Sequence, residues 1–315
     1  MNKTLLPHGL YSDPIDALLS SKDDAVMVAI IRVEGPSYRP LGAVMTVFAD
    51  QQRVGTLSSG CIENDIALHA VEALETGVPR TIRYGRGSSF IDMKLPCGGG
   101  LDILLVPRPD RPVLGQLARR RANRLPTTLS VDPQSGALAL SEQGETGNFN
   151  SLFNIRFLPE IRFLVFGKGP EAGTFSALVQ SAEYPNILLS PDPETLEHGI
   201  QMGCETRHLL KPEFPSNVAV DPRTAIVLFF HDHDWEPPIL AAAVSFSAFY
   251  VGAQGSKRAR DTRNRELEAM GIDKHALARL RGPIGLLPSA RDARTLAISV
   301  LAEVLAVANN STVSA

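Results

Sequence analysis

One segment constrains the fold of this chain more than any other. Residues 162–166 form a short apolar run that breaks directly into Gly167-Lys168-Gly169-Pro170-Glu171-Ala172, and helical spacing then continues to Tyr184. A strand, a G-x-G-x-x-A turn and a helix in that order open a βαβ unit. The glycines permit a tight turn and close approach of a phosphate, and the helix N-terminus offers free N–H groups and a positive dipole. A structural tight turn has the same look, so a nucleotide-type ligand and a packing role are both open readings.

The rest of the second half continues the rhythm. Apolar runs predict strands at 186–189, 205–209, 225–230 and 248–252. Helical spacing falls at 193–202, 238–246, 257–270, 274–281 and 291–308. Alternation of this kind implies a doubly wound parallel sheet covered on both faces. In a sheet of order 3-2-1-4-5, the loops after the first and fourth strands flank a crevice. Those loops carry Gly167, Gly169 and Ala172 on one side and His231-Asp232-His233-Asp234-Trp235-Glu236 on the other. Two histidines and three carboxylates in six residues suggest metal ligation or proton transfer. A polar loop capping a helix from Pro237 reads equally well. One strand further along, Gly252, Gly255, Ser256 and Arg258 compose an anion site at a helix start. The second strand ends in Ser190-Pro191-Asp192, where a dinucleotide fold wants an acidic residue for a ribose; Ser190 offers no carboxylate there, and Asp192 is open both to that role and to displacement by the proline.

The first half reads as α+β. A short helix is expected at 14–21, strands at 25–33, 44–48, 54–57, 80–84 and 101–107, and a helix at 63–76 closed by Gly77. Residues 129–150 read as a polar, turn-rich stretch. The domains expected are therefore 1–155 and 156–315. Three loops in the first are unusual. Gly35 to Ala43 holds Ser37 and Arg39 just after a buried strand. Ser58-Ser59-Gly60-Cys61-Ile62-Glu63 leads into a helix, whose dipole favours thiolate at Cys61. Pro96-Cys97-Gly98-Gly99-Gly100 puts a second thiol on backbone that a ligand can approach closely. Cys204 reads as packing.

Composition narrows the function. The chain has 315 residues, 44% of them hydrophobic and 21% charged, which suits two globular domains. A net charge of −3 offers no basic field for nucleic acid, and Arg119-Arg120-Arg121 reads as a solvated helix face. No apolar run nears the ~18 residues of a membrane span, and residues 1–10 lack a signal-peptide pattern. Three cysteines imply no disulfide framework, so a cytoplasmic location is expected.

These loops, in this order, resemble the XdhC/CoxI family of molybdenum hydroxylase maturation proteins. Gly35, Arg39, Gly42 and Ala43 match its G-S-x-P-R-x-x-G-A pattern, and Ser59-Gly60-Cys61-Ile62-Glu63 is similar to its G-G-C-x-E. Cys97-Gly98-Gly99 matches its C-G-G, and Gly167–Gly169 and His231–His233 match its second-domain glycine turn and H-D-H. Tyr250 to Ser256 is similar to Y-I-G-x-x-G-S, and Pro283-Ile284-Gly285-Leu286 with Ala290-Arg291 to its P-I-G-L and A-R. Ser59 stands where the family has glycine, Ser190 where it has an acidic residue, and Leu287 and Ser289 where it has an acidic residue and a glycine.

The resemblance implies an N-terminal α+β domain and a Rossmann-like C-terminal domain. It implies a protein that binds molybdenum cofactor (molybdopterin), shields it during sulfuration and passes it to an apo xanthine dehydrogenase-like hydroxylase. A cysteine desulfurase is a further partner on this reading, and a homodimer is compatible with it. Cofactor binding then falls to Ser37, Arg39, Ser58, Ser59, Gly60, Cys61, Glu63, Cys97, Gly98 and Gly99, with Cys61 and Cys97 as thiolate ligands for the molybdenum. Such a carrier needs no catalytic residue. The competing readings are an NAD(P)-dependent oxidoreductase, with His231 or His233 as proton donor, and a scaffolding partner without cofactor.

Overall fold

The computed structural model describes residues 13–88, 98–230, 234–288 and 290–313. The chain divides into two compact units, Met1–Pro159 and Glu160–Ala315.

The first unit runs α1 (Pro14–Ser20), β1 (Ala25–Glu34), β2 (Val44–Phe48), β3 (Arg53–Val54), α2 (Glu63–Thr76), β4 (Arg80–Gly85), β5 (Gly100–Pro107), α3 (Arg111–Ala122), β6 (Thr127–Val131), β7 (Leu138–Ser141), β8 (Gly147–Phe149) and β9 (Leu152–Phe157). Strands β3-β2-β1-β5-β4 make an antiparallel sheet. Residues 25–31 of its central strand β1 are apolar without a break because both faces are covered there. Val26, Val28 and Ile30 pack with Ile66, Ala67 and Ala70 of α2. Ala25, Met27 and Ala29 pack with α1, α3 and the second sheet. Each fully buried Val, Ile or Met here stabilises the fold by about 1.5–3 kcal/mol. Helix α2 has the bounds its periodicity predicts, and Gly77 ends it in the left-handed region at φ +70°.

Three expectations need correction. Residues 129–150 are not irregular. They contribute to β6, β7 and β8 of a sheet of order β7-β6-β9-β8. β7 has only four residues, with Leu138 and Leu140 packed on the core and Ala139 and Ser141 exposed, and β8 only three, mostly exposed, so neither run is long enough to mark a strand. The strand expected at 54–57 stops at Val54, because Gly55 turns the chain at φ +93°. Nor is the arginine triplet a free solvated face. Arg120 donates to Thr127 and Glu142, while Arg121 pairs with Asp13 and stacks on Phe157.

The second unit runs β10 (Arg162–Gly167), α4 (Pro170–Ser181), β11 (Asn186–Ser190), α5 (Pro193–Gln201), β12 (Glu205–His208), β13 (Thr224–Phe229), α6 (Glu236–Ala243), β14 (Tyr250–Ala253), α7 (Lys257–Ala269), α8 (Lys274–Ala278), β15 (Leu280–Arg281) and α9 (Ala293–Val313). The sheet order is β12-β11-β10-β13-β14-β15, with every pair parallel. This is the doubly wound topology expected, with one strand added. The helix expected over 274–281 ends at Ala278, and Leu280 instead pairs with Val251. Phe163, Val165 and Val227 face α4 and α9, while Leu164, Phe166 and Ile226 face α6 and α7. The order reverses between β10 and β13, which places the crevice beside the glycine turn.

Candidate functional site

The glycine turn after β10 is built for close packing. A Cβ on Gly167 would lie 2.6 Å from the Phe229 carbonyl oxygen and 3.0 Å from the Cβ of buried Ala172. Gly169 holds φ +83° and forms the N-cap of α4 without a side-chain cap. Its amide is already bonded: it donates to Thr195 Oγ1 at 2.8 Å. That hydroxyl donates in turn to the Asp192 carboxylate at 2.5 Å, and the Thr195 amide donates to the same oxygen at 2.9 Å. Asp192 is the N-cap of α5, and the Thr195 bonds hold its carboxyl below the usual range. These residues, with Gly173, Thr174, Glu194 and His198, line an open cleft of about 380 Å³.

The other second-unit candidates serve largely in packing. His231, Asp232 and His233 lie outside the described residues. Glu236 just beyond them is buried and pairs with Arg263 of α7 at 3.0 Å, and Arg263 also donates to the Gln254 carbonyl at 2.6 Å. Glu236 is thus a structural ion-pair partner. A Cβ on Gly252 would fall 2.7 Å from Ile284 and from the Tyr250 ring. Ser256 accepts from Ala259 N at 3.1 Å as the N-cap of α7, so its hydroxyl oxygen is engaged at home. Arg258 is exposed on the same helix, and Gly255 turns the chain at φ +142°. Tyr250 donates to Glu303 at 3.1 Å, and the other Glu303 oxygen accepts from the Gly285 amide. Burial, then Glu303, push the Tyr250 hydroxyl pKa up. One glutamate of α9 therefore joins the two motifs that carry Gly252 and Gly285.

The first-unit loops have a different character. Glu63 is 2% exposed, and its carboxylate gathers the whole 56–62 turn. One oxygen accepts from Thr56 Oγ1 at 2.6 Å, Leu57 N at 3.0 Å and Ser58 N at 2.8 Å. The other accepts from Ser58 Oγ at 2.8 Å and Ile62 N at 3.2 Å. Burial raises its pKa, but the bonds from Thr56 and Ser58 outweigh burial and hold it at about 2. Ser58 and Glu63 are therefore placed otherwise than expected. They bond to each other inside the domain and frame the loop from beneath.

What the frame presents outward is Ser59, Gly60 and Cys61, all exposed. Ser59 holds φ +61°, a conformation that favours glycine. Gly60 holds φ +104° with nothing within 4 Å of an added Cβ. Cys61 stands one residue before Ile62, the N-cap of α2.

The remaining two loops meet. A Cβ on Gly99 would fall 2.3 Å from the Pro36 carbonyl oxygen and 2.9 Å from that of Glu34, so only glycine permits the crossing. Gly98, at φ +71°, has open space beside it. Ser37 donates to the Arg39 carbonyl at 2.8 Å, and the Arg39 side chain is exposed. Arg83 braces the junction, donating to Asp102 and to the Arg86 carbonyl at 2.8 Å each and pairing with Glu34. Cys97 lies outside the described residues, and Cys204 is buried as expected. Sequence reasoning missed Thr195, Arg83, Arg263 and Glu303. Only Thr195 carried a local signal, as the third residue after a capping aspartate.

Among the described residues, no cluster of three or more His, Cys, Asp or Glu could hold a metal ion. Among them, too, no helix is long and apolar enough to cross a membrane.

Two family models match separate stretches of the chain, one in each unit. The family model of the XdhC Rossmann domain matches residues 163–304, and that of the XdhC and CoxI family matches residues 18–85. The molybdenum cofactor insertion chaperone PaoD of Escherichia coli is 36% identical, over 93% of this chain and 86% of its own. A probable xanthine dehydrogenase subunit from Bacillus subtilis is 24% identical over 94% of this chain and 97% of its own. A Bacillus halodurans crystal structure, described as a xanthine dehydrogenase, shares the fold with a TM-score of 0.76 at 22% identity, covering 94% of this chain and 95% of that one. By the family matches and by its likeness to PaoD over most of both chains, this chain belongs to the XdhC and CoxI family.

Proposed function

We propose that this chain is a molybdenum cofactor-binding chaperone, which protects the cofactor, supports its sulfuration and delivers it to a xanthine dehydrogenase-like molybdenum hydroxylase. Similarity to PaoD, a molybdenum cofactor insertion chaperone, supports the reading. The observation that carries it in the molecule is the first-unit loop: an exposed thiol and bare glycine backbone held on a rigid, fully bonded frame.

The cargo combines a phosphate, a hydrogen-bonding pterin and a metal–dithiolene. The residues available to it are Cys61, whose thiolate is a soft donor for molybdenum or for its sulfur ligands, and the open backbone at Gly60 and Gly98. The exposed guanidinium of Arg39 suits the phosphate. Cys97 joins Cys61 as a thiol of the same site in this proposal. The cargo thus belongs to the first domain, the one with cysteine and glycine loops, while the Rossmann domain carries the crevice. Ser58 and Glu63 act by positioning.

The partners that follow are the apo-hydroxylase and a cysteine desulfurase, with a cytoplasmic location and a homodimer. A carrier must bind and release, and no bond in the cargo is made or broken by the groups named here. The NAD(P) reading is not favoured, because the turn amide and the aspartate it would use are bonded to each other through Thr195.

The test is transfer. Protein purified from a cofactor-producing host should activate an apo molybdenum hydroxylase when cofactor is otherwise absent. Failure to activate any such apo-enzyme, with molybdenum retained by the chaperone, would remove the delivery role.

A further inference from the structure

We propose that Thr195 sets the ligand selectivity of the second unit, by holding with its own hydroxyl the place at the glycine turn where a dinucleotide phosphate oxygen would bind. A dinucleotide site of this topology has two recognition elements. The turn amides take the pyrophosphate, and an acidic residue after the second strand takes a ribose diol. Here Gly169 N and Asp192 are those two elements, and one side chain satisfies both. Thr195 Oγ1 accepts from Gly169 N at 2.8 Å and donates to Asp192 at 2.5 Å. A phosphate oxygen needs the same position, about 2.8 Å from the same amide, and two oxygens cannot share it.

The hydroxyl is held firmly. Thr195 is 4% exposed and sits in the first turn of α5. Glu194 also lines the cleft, and its charge opposes a phosphate there. The helix cap itself does not need the hydroxyl: the Thr195 amide donates to Asp192 independently at 2.9 Å. Removing the hydroxyl therefore spares the start of α5 and frees the turn.

Two substitutions separate this role from ordinary packing. Thr195→Ala removes both the hydroxyl and its volume, so the amide opens to a ligand. Thr195→Val removes the hydroxyl but fills the same space, so the site stays shut. Binding of ADP-ribose to the full-length protein is measured by calorimetry at low salt. Wild type and Thr195→Val should show no saturation up to about 1 mM, whereas Thr195→Ala should bind at least roughly tenfold tighter, the worth of one charge-assisted hydrogen bond. The gain should fade with added salt.

The proposal is overturned if Thr195→Ala, folded by circular dichroism, binds no tighter than wild type, or if Thr195→Val gains as much. It is also overturned if wild type itself saturates at micromolar ligand. One measurement needs no variant: amide exchange at Gly169 in the wild type, read by NMR. Strong protection is expected, and exchange at the rate of an open loop would contradict the bond. Molybdenum retention is assayed separately, so these outcomes leave the chaperone reading to its own test.

Discussion

Replacing Glu63 by glutamine should show how much of the first-unit loop one carboxylate holds. In the folded chain its two oxygens accept five hydrogen bonds. Its pKa lies at about 2, against an ordinary 4.5. That difference amounts to about 3 kcal/mol of folding free energy, at ~1.4 kcal/mol per tenfold change in proton affinity. The folded pKa is the lower one, so the contribution is complete above pH 4.5 and drains away as pH falls toward 2. At pH 3 about 2 of those 3 kcal/mol are gone.

In Glu63→Gln one oxygen keeps its donors, but the amide nitrogen is set against the Ile62 N–H. The expected cost at neutral pH is about 2–3 kcal/mol. The assay is urea unfolding with hydrogen exchange followed over residues 56–76, because the single tryptophan, Trp235, reports on the second unit. The gap between wild type and variant should shrink by about 2 kcal/mol between pH 7 and pH 3. A neutral-pH gap below about 1 kcal/mol, or one of the same size at both pH values, would mean that the Glu63 carboxylate does not hold the loop.

Two further outcomes are expected. Ser59→Gly should stabilise the protein by about 0.5–1 kcal/mol, since relief of the left-handed strain at φ +61° exceeds the added chain entropy; a lower melting temperature would contradict this. In native protein, Cys61 should react fast with a thiol reagent while Cys204 reacts slowly, being buried with its thiol pKa pushed up by that burial. Survival of the full fast phase in Cys61→Ala would be the contrary result.

Much of the fold was legible because it rests on local pattern. The apolar run 25–31 that opens β1 signals burial on both faces, and the two core clusters that share it confirm the cause. The 63–76 periodicity and Gly77 delimit α2, and strand–glycine–helix order gives the parallel sheet. β7 and β8 were illegible, because runs of four and three residues are too short for a period of two to stand out.

The site was legible as a set of loops but not as roles. The motif around Cys61 marks a special segment, yet spacing alone cannot say that Glu63 points inward and Cys61 outward. That distinction depends on burial. The side-chain pairs Arg83 with Asp102, Arg263 with Glu236 and Glu303 with Tyr250 span 19 to 53 residues, and no local pattern records such pairs. The serine at 59 is the informative departure. It occupies a glycine conformation without losing it, so the loop survives the substitution.

On the proposed function, Cys61 on its braced loop holds molybdenum cofactor. The direct measurement is molybdenum and oxidised-pterin content per chain, for wild type and Cys61→Ala purified from a cofactor-producing host, beside their melting temperatures. Both components are expected in wild type, with a several-fold loss of both in Cys61→Ala and equal melting temperatures because the thiol is exposed. Equal retention by the two proteins, or molybdenum absent from both, would contradict that role of Cys61.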